Sequence, residues 1–347
     1  MPRPSLLLLA PFAAALALAL LAACGNHADP STPSDGCPNG TGTPSGALVT
    51  YEVVTVGDAN NPADTTGFGS VDHVYSIGKY HVSIGQYAAF LNAVADTDTY
   101  GLYHESMGTD LNIAGIARSG GPGTHVYTVL NNGGDSSNRP IAYVTWFAAA
   151  RFANWMSNGQ PEGPQGPTTT EDGAYPLNGA TSGPAVARNT CNPNTSATVT
   201  YWVPTENEWY KAAYYDPTLH GGLGGYHHYA TQSSSAPGNF VGSTPNQMNV
   251  IVGVNFAVTQ DPTLFAGQNY LTDGGAFSGS SSHYGTFDQN GNLYQWNDLD
   301  GTPYPYRGVR GSFWFAGAQA AQSIIFAGQT PTHAGNDVGF RLASIAR

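Results

Sequence analysis

The stretch YWVPTENEWYKAA, Tyr201 to Ala213, decides the fold, because a helix start is written into its middle. Thr205 stands three residues before Glu208, the spacing of a capping box. In that arrangement the hydroxyl takes one orphan backbone N–H and the carboxylate reaches back to another. Trp209, Ala212 and Ala213 then follow along the helix. Glu206 and Glu208 also resemble a catalytic carboxylate pair. The plainer account is negative charge at a helix N-terminus, where the macrodipole favours it.

Two more helices carry similar signals. Ser83-Ile84-Gly85-Gln86 is a second capping box, and it leads into YAAFLNAVA with Ile84, Tyr87, Phe90, Leu91 and Val94 on one face. Thr145 opens WFAAARFANWM, which should stop near Asn158-Gly159. Short β-like runs lie between them, such as LVTYEVVTV (Leu48–Val56) and HVYSIGKYHV (His73–Val82). Two stretches, about 159–199 and 216–285, are rich in Gly, Ser, Thr, Asn and Pro. They are far longer than ordinary connections, so they should be packed irregular structure bearing functional surface. No internal repeat and no second domain is evident.

Composition sets the outer bounds. The chain has 347 residues with 44 glycines, 24 prolines, 12% aromatic and only 10% charged side chains. Breakers spread throughout exclude long helical bundles, and the aromatic content excludes general disorder. A formal charge of −12 disfavours nucleic acid or a polybasic-lipid partner.

The N-terminus reads as a targeting segment. Arg3 precedes an apolar run from Leu6 to Leu21, with small Ala22 and Ala23 before Cys24. A transmembrane anchor is the alternative, since the run approaches a spanning length. Leu21-Ala22-Ala23-Cys24 resembles a bacterial lipobox, which implies a signal peptide over 1–23, acylation of Cys24 and an extracytoplasmic, membrane-anchored place in the cell envelope. Residues 24–46 then form a flexible tether, and 47–347 the main domain. Cys37 in the tether and Cys191 in a loop remain. Outside the cytoplasm they either pair or stay as two free thiols.

The punctuated motifs resemble the formylglycine-generating enzyme family, the sulfatase-modifying factor domain. GKYHVSIGQYAAFLNAV (Gly78–Val94), RPIAYVTWFAAARFANWM (Arg139–Met156), YWVPTENEWYKAA, FDQNGNLYQW (Phe287–Trp296), RGVRGSFW (Arg307–Trp314) and Gly339-Phe340-Arg341 follow the family's order. The resemblance implies an irregular, loop-rich α+β fold related to C-type lectins. Trp146, Trp155, Trp209, Trp296 and Trp314 all fall inside the motifs, and packing is their expected role.

In the family's oxidases a pair of cysteines binds copper(I), and soft thiolates suit that ion. The matching places here are about Ala316 and Ala321, a motif serine falls on Phe313, and no cysteine lies between Arg307 and Arg347. Copper and thiol oxidation are therefore not expected. The resemblance also implies a structural Ca²⁺ held by the Asp288 side chain, the Gly291 and Leu293 carbonyls and the Gln295 side chain, with Gln295 standing where a Glu is usual. Arg307, Arg310, Trp314 and Arg341 match motif positions that would line a ligand cleft, unless the arginines serve in structural pairing with carboxylates. The histidines, including adjacent His227 and His228, show no ligand spacing. The expected function is a lipid-anchored binding module for a peptide, protein or glycan. A family enzyme with an unrecognised site, or a purely structural envelope protein, stands as the alternative.

Overall fold

The computed structural model describes Cys37 and residues 48–347. The expected signal peptide, Cys24 and the rest of the tether lie outside the described residues. Three helices organise the described part, and each begins as its sequence dictates. Helix α1 (Ile84–Val94) has the complete Ser83–Gln86 capping box, and the five apolar residues of its expected face are all buried. Helix α2 (Trp146–Ser157) is capped by the Thr145 hydroxyl, and Asn158 ends it. Helix α3 (Glu206–Tyr214) carries the Thr205–Glu208 box.

The strands are short. β1 (Val53–Val56), β2 (Tyr75–Gly78), β3 (Tyr201–Trp202) and, from farther along, β4 (Tyr294–Asn297), β5 (Arg307–Arg310), β6 (Ala327–Gln329), β7 (Val338–Gly339) and β8 (Ala343–Ile345) build two four-stranded sheets. The first runs β1-β2-β8-β3, all antiparallel, with Ile77 facing both Val54 and Ala343. The second runs β6-β5-β4-β7, in which only β7 pairs parallel, Val338 lying opposite Tyr294. The irregular α+β expectation holds.

The main core lies between α1, α2 and the first sheet, where Tyr87, Phe90, Phe152, Trp155 and Phe340 pack ring against ring. Every residue of α2 is buried, its polar ones included. Those polar groups make the 159–199 stretch a packed layer. Arg151 grips both carboxylate oxygens of Glu171 at 2.7 and 2.8 Å, and the Asn154 amide donates to the Thr170 and Tyr175 carbonyls while accepting from Tyr175 N–H. Asn158 donates to the Thr169 and Asp172 carbonyls. The 216–285 stretch obeys the same logic: Asn239 spans Val250 and Asn255, and Asn249 spans Tyr270 and Asn292. Buried backbone without a ladder partner must find another, and short amides supply it.

Cys37 and Cys191, the two thiols that sequence left open, form a disulfide. The tether is thereby fastened to the domain well before residue 48. Among the described residues no helix is long and apolar enough to cross a membrane.

Candidate functional site

Helix α3 splits the two carboxylates that looked like a catalytic pair. Glu206 turns to the Arg310 guanidinium. Glu208 accepts from Thr205 N–H at 2.8 Å and Trp202 Nε1 at 3.0 Å, and it meets His73 Nε2 at 3.3 Å. Both are capping and pairing groups. Burial works against charge on His73, but the Glu208 and Asp72 carboxylates outweigh it and raise its pKa. Burial likewise opposes the Glu208 carboxylate, and the His73 bond, with Arg188 and Trp202, brings its pKa below the usual value.

These two shifts give the pH dependence its sign. A raised histidine stabilises fully below its unfolded pKa of 6.5, and that contribution is lost as pH rises through the folded value. A lowered carboxylate stabilises above 4.5, and loses it as pH falls through the folded value. The pair therefore contributes most between those limits. Urea unfolding of the native chain and His73→Gln should differ most near pH 5 to 6, and the gap should narrow toward alkaline and strongly acid pH. A gap that does not change with pH would show that the pair is not charged in the folded protein.

The four residues expected to line a cleft do not line one. Arg307 is fully buried, pairs with Asp298 at 2.7 Å and lies over the Trp146 ring. Arg310 donates to the Ser323 and Ile325 carbonyls at 2.7 and 2.8 Å and sits among the rings of Phe68, Tyr210 and Phe326. Arg341 donates to Gln295 Oε1 and to the Gly78 and Phe287 carbonyls, and burial pulls its pKa down to about 10. Trp314 gives its Nε1–H to the Asn336 carbonyl and stacks on Tyr270. The reason is desolvation: a buried guanidinium is held by fixed carboxylates, carbonyls and ring faces, and the donors left over, Arg307 Nη2 and Arg310 Nη2, are sealed from solvent.

The expected calcium residues meet a similar obstacle. Gly291, at φ 82°, lies so close to the Asn249 backbone that an added Cβ would come within 2.7 Å of the Asn249 carbonyl oxygen. Asp288 accepts from Gly275 N–H, and burial pushes its pKa up to about 6. Gln295 Oε1 already accepts from Trp209 Nε1 and Arg341 Nε, and its Nε2 donates to the Asp288 carbonyl. The Leu293 carbonyl faces His81 Nε2 at 3.3 Å. Calcium wants six to eight oxygens. This donor set, with its one side-chain amide saturated, does not fit the ion. Among the described residues no group of three or more His, Cys, Asp or Glu is arranged to hold a metal.

Of the two positions matching the oxidase cysteines, Ala321 is buried and Ala316 half-buried. Residues Ala318–Ala321 form a short 3₁₀ turn, and Ala318 and Ala321 are buried with Tyr229, Met248 and Val250. The Ala321 carbonyl accepts from the Tyr214 hydroxyl, and the Ala316 carbonyl accepts from Ile251 N–H. Phe313 packs on Tyr294.

Sequence missed two arrangements. His227 Nε2 and His283 Nδ1 each lie 3.2 Å from an Asp216 oxygen, so histidines that looked scattered are partly gathered. Thr218 also holds Asp216, through its N–H and its hydroxyl. The second is a cavity of about 410 Å³ bordered by Glu52, Tyr80, His81, Ser83, Asn138 and Asp273, with Tyr51 and Gln86 also on its wall. Those residues come from the approach to β1, the loop between β2 and α1, α1 itself, and the segments near 138 and 273. No periodicity or spacing links them.

No curated protein matches the chain. Among solved structures, "Crystal Structure of CarF" aligns at 19% identity and TM-score 0.49, covering 86% of this chain and 100% of that one. Treponema denticola variable protein 1 aligns at 15% identity and TM-score 0.48, covering 86% and 96%. PvdO from Pseudomonas aeruginosa aligns at 15% identity and TM-score 0.41, covering 88% and 100%. The family model of the sulfatase-modifying factor enzyme 1-like domain matches residues 43–346, from the end of the tether almost to the last residue, and the chain belongs to that family.

Proposed function

We propose that this chain is a lipid-anchored, extracytoplasmic binding module that has left the family's thiol-oxidase chemistry. The observation that carries this reading is where its sulfur has gone. A copper(I) oxidase centre needs paired thiolates. Cys191, the sole cysteine after residue 46, is engaged with Cys37, while alanines stand at the two matching positions. Ala321 is enclosed by Tyr229, Met248 and Val250, so the place is filled with hydrocarbon. A methyl group neither binds copper nor exchanges a proton.

Cys24, in its lipobox-like context, would hold the protein at the membrane of the cell envelope through acyl chains. What remains is a rigid, aromatic-cored domain with a partly open polar cavity for a peptide, protein or glycan ligand. Copper(I) titration in ascorbate, which leaves the disulfide intact, tests the reading. The expected result is no stoichiometric tight binding. One copper bound per chain would sink it.

A further inference from the structure

The cavity beside the start of α1 has a chemical preference, and it deepens the binding-module reading on which it rests. Helix N-termini ordinarily favour anions through free N–H groups. Here those groups are spent. Ile84 N–H donates to the Arg139 carbonyl and Gly85 N–H to the Ser137 carbonyl, while Gln86 N–H donates to Ser83 Oγ. The Gln86 side chain in turn accepts from Ser83 N–H and donates to the Thr50 carbonyl. An anion entering the cavity would find no unused backbone donor at the helix end.

The charged groups on the wall are both acids. Glu52 is bound by Lys79 at 2.7 Å. Asp273 comes only within 3.9 Å of Arg139, beyond hydrogen-bonding reach, and its carboxylate accepts no hydrogen bond among the described residues. Arg139 meanwhile gives its donors to the Asn132 and Gly133 carbonyls and Ser136.

His81 adds an independent sign. It is only 5% exposed, yet it borders the cavity. Its Nε2 faces the Leu293 carbonyl, an acceptor, so Nε2 carries the proton and Nδ1 offers a lone pair. Among the described residues Nδ1 has no hydrogen-bond partner, and it is not among the unpartnered nitrogens sealed from solvent. His81 lies on the wall of the cavity. Two carboxylates and a buried imidazole acceptor thus meet around one space.

The rim already shows how an ammonium is held. Lys79 Nζ sits against Glu52 and 5.3 Å from the centre of the Tyr80 ring, combining carboxylate with aromatic face. A volume of about 410 Å³ suits a small molecule or one long side chain. We propose that the cavity bordered by Glu52, Tyr80, His81 and Asp273 binds an organic primary ammonium group, carried by a free amine or by a lysine side chain.

Calorimetric titration of the mature, detergent-solubilised chain tests this with four probes: cadaverine, Nα-acetyl-lysinamide, succinate and maltose. Both ammonium probes should bind saturably, weakening as salt is raised. Asp273→Asn and Glu52→Gln, at exposed carboxylates whose loss leaves the core intact, should each weaken them at least tenfold. Tighter cadaverine names a free amine as the guest, and tighter Nα-acetyl-lysinamide names a lysine side chain. Either order supports the proposal. No saturable heat from either ammonium probe up to about 10 mM would overturn it, as would undiminished binding in both variants. Succinate or maltose binding that Asp273→Asn abolishes would overturn the ammonium assignment while leaving a binding module standing. Copper-dependent oxidase activity would instead remove the module itself.

Discussion

Replacing Cys37 and Cys191 together by serine should lower the unfolding free energy by about 4–5 kcal/mol in the chain-entropy limit. The bridge joins residues 154 apart in sequence, which makes the closed loop long. The stabilisation comes chiefly from the unfolded chain, whose freedom the bridge removes. Serine at each end preserves the size of the side chain, so local packing contributes little to the change. Denaturant unfolding of the double variant beside the native chain, without thiol reagents, gives the number. A difference below about 1 kcal/mol would contradict the chain-entropy account of this bridge. The same bridge predicts that a cut between residues 38 and 47 leaves the domain attached to its tether until a reductant is added.

Arg310→Ala should cost about 3–5 kcal/mol, because it abandons a buried carboxylate. Glu206 and Arg310 are both buried, and Arg310 also ties the Ser323 and Ile325 carbonyls to β5. The Phe68, Tyr210 and Phe326 rings around the guanidinium would face a void. Removing both charges with groups of similar volume, Arg310→Met with Glu206→Gln, should recover much of the loss. Urea unfolding of the single and double variants measures this. A near-neutral Arg310→Ala would return that arginine to solvent and restore the ligand-cleft expectation.

How much was legible before folding depends on where each signal resides. Helix starts are local chemistry: Ser83 with Gln86, and Thr205 with Glu208, made their capping boxes as written. The apolar face of α1 was equally local. Strands were not, since β3 and β7 have two residues each and exist only because distant partners lie alongside. The run from His73 to Val82 yields strand only from Tyr75 to Gly78, where Val53–Val56 and Ala343–Ile345 flank it.

Arg310 and Glu206 stand 104 residues apart, and no spacing rule predicts such a pair. Motif position alone offered both a cleft role and structural pairing with a carboxylate, and Arg310 takes the second, as a buried strut on Glu206. The surroundings of the calcium-matching residues were hidden for a related reason: Gln295 could be aligned, but its two donors, Trp209 and Arg341, could not be foreseen. The cavity was invisible because its wall is assembled from several separate segments. The missing thiols, by contrast, needed only a count.

The most direct test of the central claim is an oxidase assay. The mature chain, with copper and oxygen, is incubated with a peptide carrying Cys-x-Pro-x-Arg, and the peptide is examined by mass spectrometry for conversion of its cysteine to formylglycine. With Ala316 and Ala321 in place of thiolates and Cys191 held by Cys37, the account predicts unchanged peptide. Formylglycine that accumulates with time and requires both copper and oxygen would contradict it.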